Sequence, residues 1–93
     1  GSDYDELLVW AEMLKNKAEE SPMMEGAEID YSEKTPELLV TVDRQRAAEL
    51  GVSVKDISDT LEIMLGGKSE TTYVERGEEY DVYIRGDENS FNN

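Results

Sequence analysis

The sequence predicts an α+β domain with a small mixed β-sheet and three helices, in the order α-β-β-α-α-β-β. Three observations predict it. Apolar residues recur at spacings of three and four near the start of the chain. Apolar and polar residues alternate with a period of two in several later segments. Between those segments lie two stretches that begin with a polar cap and end at glycine.

The first helix is expected from Asp3 to Glu20. Leu7, Trp10, Ala11, Leu14 and Ala18 make one apolar stripe, and Asp3, Asp5 and Glu6 fall where the helix dipole favours negative charge. Ser2 or Asp3 can cap it, and Pro22 stops it. Leu8, Val9 and Met13 lie off the stripe, so the apolar face is broad, as in a helix that touches more than one surface. Ala27, Ile29 and Tyr31 alternate with Glu28 and Asp30, which predicts a strand. Ser32 to Pro36 reads as a break. A second strand follows, with Leu38, Val40 and Val42 on one face and Leu39 and Thr41 on the other; it can continue the first across the bend.

Asp43 is expected to cap a short helix with Ala47, Ala48 and Leu50 inside, closed by Gly51 in a left-handed conformation with Val52 folding back on it. Ser53, with Asp56 three residues on, predicts a capping box for the next helix, whose apolar face is Ile57, Leu61, Met64 and Leu65 and whose terminator is Gly66-Gly67. The last stretch predicts a hairpin: Thr71 to Glu75, a turn at Arg76-Gly77, then Tyr80, Val82 and Ile84 alternating with Asp81, Tyr83 and Arg85. Gly86 to Asn93 is polar and expected to fray.

The 93 residues amount to one domain or part of one. There are 23 Asp and Glu against 9 Lys and Arg, a net charge of −14. Such a polyanion repels phosphate backbones and anionic bilayers, so nucleic acid is excluded as a partner in the usual cationic mode. With no His and no Cys, zinc centres of the usual type, disulfides, thiol nucleophiles and His-based triads are excluded too. Uncharged runs such as Leu7 to Ala11 are far shorter than the roughly 20 apolar residues of a membrane span. The absence of Cys fits a cytosolic and an oxidising compartment alike, and no signal peptide is visible. Gly1-Ser2 has the look of a cloning remnant, which makes the chain an excised piece. A free domain of this size buries only roughly 60 to 65% of its unfolded surface, so modest stability is expected.

No constellation for catalysis stands out. The carboxylates fall on helix faces, in first turns and at loop edges, where a solvated acidic surface explains them. Asp87, Glu88 and Asn89 lack the alternate-position spacing of a calcium loop. Gly66-Gly67 follows a helix instead of preceding one, so it reads as a terminator and not a phosphate loop. Met13, Met23, Met24 and Met64 read as packing residues, and Trp10 as a core or interface anchor. No catalytic residue, metal ligand or cofactor is expected.

The stretch from Thr35 to Lys68 reads T-P-E-L-L-V-T-V-D-R-Q-R-A-A-E-L-G-V-S-V-K-D-I-S-D-T-L-E-I-M-L-G-G-K. It resembles the periplasmic portion of resistance–nodulation–division efflux pumps, most closely the acriflavin-resistance (hydrophobe/amphiphile) branch. In that family a strand ending in V-D leads to an A-A-x-L-G-V-S helix end, then to a D-I-x-x-T-L helix closed by G-G. Pro36, Asp43, Ala47, Ala48, Leu50, Gly51, Val52, Ser53, Asp56, Ile57, Thr60, Leu61, Gly66 and Gly67 carry the match. Arg76-Gly77-Glu78-Glu79-Tyr80-Asp81-Val82 is similar to the family's R-G-x-x-Y-D-V hairpin.

The resemblance implies a segment from the second half of an inner-membrane, proton-driven multidrug antiporter. Residues 1–33 resemble the helix and outgoing strand of a porter subdomain, and residues 34–93 the first part of the docking subdomain inserted into it. The parent would be a homotrimer working with a periplasmic adaptor and an outer-membrane duct on amphiphilic small molecules. The segment itself would be a soluble piece at the periplasmic face of the bacterial inner membrane. It would lack the membrane helices that relay protons, and it would self-associate through strand edges that have lost their partners. By position, Glu28 and Asp30 would face the substrate cleft. The heavy-metal branch of the superfamily, which uses Met for soft metals, competes; the hairpin and helix end favour drug efflux. Two readings remain beside the transporter: a freestanding acidic module that docks on a basic partner, and a carboxylate-dependent enzyme.

Overall fold

The computed structural model describes residues 3–31 and 36–86. Leu7, Trp10, Ala11 and Leu14 form the expected buried stripe on the helix α1 (Asp3–Glu20), while Leu8, Val9 and Met13 remain exposed. Four strands follow the predicted periodicity: β1 (Met24–Asp30), β2 (Glu37–Asp43), β3 (Ser69–Arg76) and β4 (Glu79–Gly86). Two helices, α2 (Arg44–Glu49) and α3 (Val54–Met64), separate β2 from β3. The α+β class and the element order thus agree with the sequence reading.

The sheet has strand order β1-β2-β4-β3 and is antiparallel throughout, where a mixed sheet was expected. The difference arises because β2 does not run on from β1 across the bend. It turns back and pairs with it, Ala27 opposite Val40 and Asp30 opposite Glu37. The chain then crosses through α2 and α3 to reach the far edge at β3 and returns along the middle as β4.

Register sorts the side chains into two faces. Ala27, Val40 and Val82 are cross-strand neighbours, as are Ile29, Leu38 and Ile84. With Val42 they form one face, and Leu38, Val40, Val42, Val82 and Ile84 have no solvent exposure. Helix residues Leu7, Leu14, Ala47, Ile57 and Leu61, with Leu65 just past the end of α3, join them in one core. All three helices therefore cover the same side of the sheet. Each fully buried Leu, Ile or Val of that core contributes about 1.5 to 3 kcal/mol.

The helix ends are built as the sequence specified. Asp43 Oδ1 accepts the Arg46 N–H at 2.9 Å, and Ser53 and Asp56 exchange both bonds of a capping box. α2 ends in a Schellman motif: Val52 N–H donates to Ala47 O, Gly51 N–H donates to Ala48 O, and Gly51 has φ +71°. Gly67 and Gly66 repeat the arrangement on Glu62 O and Ile63 O at the end of α3. Two local expectations are corrected. Ala48 and Leu50 are exposed and only Ala47 is buried, because a six-residue helix turns one narrow strip toward the sheet. The hairpin turn is Gly77-Glu78, with Arg76 still paired to Glu79 in the ladder. The Ser2 or Asp3 cap, most of the Ser32 to Pro36 break, the fraying of the last residues and the Asp87-Glu88-Asn89 group lie outside the described residues and side chains.

Candidate functional site

Among the described residues no helix covers the sheet's second face, and it is there that Glu28 lies. The pleat sends Glu28 to the side opposite Ala27 and Ile29. Its neighbour on β2 is Leu39, whose neighbour on β4 is Tyr83, whose neighbour on β3 is Thr72. One row of side chains thus crosses all four strands of the open face. The next row is Gly26, Thr41, Asp81 and Val74. Gly26 has no side chain to fill its place, and a groove of about 310 Å³ opens there between Glu25, Gly26, Ala27, Glu28, Leu39 and Thr41. Glu28 is an exposed wall of this groove. Asp30, at the β1 end and opposite Glu37, is half-buried and lies outside the groove.

Glu25 closes the other end of the groove. The register shifts between Met24 and Gly26, so Glu25 occupies a bulge in the edge strand. The bulge turns its carboxyl toward Asp43 and Glu79, which face each other across β2 and β4. A hydrogen bond with the Glu79 carboxyl, a slight desolvation of the exposed side chain, and the charges of Glu79 and Asp43 all raise the Glu25 pKa above its ordinary value. The groove is therefore anionic at its rim and apolar at Leu39. That combination suits a positively charged amphiphile. It offers no nucleophile beside a base, and among the described residues no group of acidic side chains could hold a metal ion.

The residues of the sequence motif serve the scaffold and do not converge on one site. Pro36 leads into β2, and Asp43 caps α2. Gly51 and the Ser53–Asp56 pair shape the link from α2 to α3, while Gly66 and Gly67 end α3 at the opposite side. Gly77, with φ +60°, supplies the first hairpin position, which requires positive φ in a two-residue turn. Arg44 ties the hairpin tip to α2. Its Nη1 lies 2.7 Å from Glu75 Oε1 and donates to Gly77 O, and its backbone N–H donates to Glu78 O. Arg76 pairs with Asp81 on the open face, where the Tyr83 hydroxyl and the Asp81 charge raise its pKa.

Sequence reasoning missed Glu25, Gly26 and Arg44. A glycine interrupting a strand pattern is the one available signal, since it marks a bulge or a gap. No described helix is long and apolar enough to cross a membrane.

The chain matches the AcrB/AcrD/AcrF family over residues 1–93. It is 30% identical over 94% of its length to the multidrug/solvent efflux pump membrane transporter MepB of Pseudomonas putida, and that alignment covers 8% of the relative. It is 34% identical over 76% of its length to the toluene efflux pump membrane transporter TtgB, also of P. putida, covering 7% of that protein. Identity to the cobalt-zinc-cadmium resistance protein CzcA of Cupriavidus metallidurans is 24% over 91% of the chain and 8% of that protein. The chain thus spans less than a tenth of the curated relatives it matches. No solved structure matches it.

Proposed function

The chain belongs to the AcrB/AcrD/AcrF family, and from that premise we propose that it is a periplasmic segment of a proton-driven, inner-membrane multidrug efflux transporter. The observation that carries the reading is the family match along the whole chain, joined to an open sheet face that bears an acid-rimmed groove. Residues 1–33 belong to the porter subdomain and residues 34–93 to the docking subdomain. In the parent, a homotrimer, the Glu28 face forms part of the wall along which amphiphilic molecules pass. The α2–α3 and hairpin region approaches the adaptor and outer-membrane duct. Asp30 lies on the same strand as Glu28 and borders that wall. A freestanding acidic module has only the net charge in its favour.

The reading frame that encodes the segment tests the transporter reading. Flanking stretches of about 20 apolar residues on both sides are expected. A frame that encodes no such stretch overturns the proposal. For the 93-residue chain alone, the edges of β1 and β3, which have no strand partner among the described residues, predict self-association in sedimentation experiments. A monodisperse monomer at high concentration contradicts that part.

A further inference from the structure

A second cavity lies on the helical side of the sheet, away from Glu28. It has a volume of about 150 Å³ and opens between the start of β1 and α3. Its apolar lining is Met23, Met24, Val52, Ile57, Leu61 and Met64. Three of the chain's four methionines meet there, adjacent Met23 and Met24 with Met64 from forty residues further on. Each arrives for a local reason. Met23 and Met24 follow the helix stop at Pro22, with the Met23 N–H held 3.3 Å from Ser21 Oγ. Val52 is turned inward by the Schellman end of α2. Met64 is the last residue of α3, one turn beyond Leu61.

We propose that this cavity is a binding site for a single small aromatic ring. Size is the first argument. The cavity is open to solvent on one side, and its space of about 150 Å³ matches one benzene ring. Chemistry is the second. Thioethers are polarisable and make favourable contacts with aromatic edges, and the unbranched methionine chain adapts to what it surrounds. Three such side chains on the walls favour an aromatic ring over a saturated one of equal size. The lining offers no cation to recruit an anion, and Asp56 and Thr60 lie on its exposed side. A ring seated there touches the α1–β1 junction and α3 together, so binding also stabilises the chain. The inference does not depend on transport.

Methionine methyl NMR of the 93-residue chain tests it, with benzene and cyclohexane as probes. Benzene is expected to shift the ε-methyls of Met23, Met24 and Met64 saturably. Met13, exposed on the outer side of α1, stays unmoved and serves as the internal control. Benzene should bind about two- to tenfold tighter than cyclohexane. Val52→Phe, which fills the cavity, should abolish saturation. Met64→Leu, which nearly conserves volume, should keep the fold and narrow the preference for benzene. Shifts that do not saturate, that include Met13 equally, or that leave the three methyls unchanged overturn the site. Cyclohexane binding as tight as benzene overturns its aromatic character.

Discussion

Arg44 Nη1 lies 2.7 Å from Glu75 Oε1, and the same guanidinium nitrogen donates to the carbonyl of Gly77 at 3.0 Å. One side chain at the first position of α2 therefore holds the end of β3 and the first residue of the β3–β4 turn. Both partners are about half exposed, so solvent screens the pair. Arg44→Ala is expected to cost about 0.5 to 1 kcal/mol. Hydrogen-exchange protection should fall at Glu75 to Glu79 more than in β1.

Gly51 and Gly66 sit at φ +71° and +75°, and a Cβ at either meets nothing within 4 Å. Space is not the constraint; backbone handedness is. Gly51→Ala and Gly66→Ala should each lower stability by about 1 kcal/mol in denaturant titration. Unchanged midpoints would contradict the left-handed terminators.

Leu61 is fully buried on α3, while Ile63 is 78% exposed two residues later. Leu61→Ala should cost about 2 to 5 kcal/mol, enough to unfold a domain of marginal stability. Ile63→Ala should change stability by less than about 0.5 kcal/mol. Equal effects would mean that α3 docks by another face.

Glu25 carries a pKa raised above its ordinary 4.5 by its hydrogen bond to Glu79 and by two nearby carboxylates. The folded state thus holds this proton to higher pH than the unfolded chain does. The contribution to stability is present at low pH and is lost as pH climbs from about 4.5 through the raised value. Glu25→Gln is expected to raise the melting temperature at about pH 7. The gain should shrink at about pH 4 and in high salt, where the repulsion is titrated or screened. A gain independent of pH would refute this electrostatic origin.

What was legible in the sequence was local. The stripe Leu7-Trp10-Ala11-Leu14 predicts α1, and Asp43, Ser53-Asp56, Gly51 and Gly66-Gly67 predict the helix ends, because caps and left-handed terminators act within about five residues. Alternation placed Glu28 opposite Ala27 and Ile29. Strand order was not legible: the row Glu28, Leu39, Tyr83 and Thr72 exists only once β4 has inserted between β2 and β3. The groove beside Gly26 and the Arg44 grip depend on the same long-range pairing. So does the meeting of Met23, Met24 and Met64, which no spacing along the chain records.

The proposal that the Glu28 face borders the path of transported molecules is tested most directly by efflux of a fluorescent cationic amphiphile from cells making the full-length transporter. Glu28→Lys reverses a charge on an exposed side chain and leaves the core untouched. The account predicts severalfold slower efflux of the cation at equal protein level, with a neutral substrate much less affected. Efflux of both at the parental rate would contradict it.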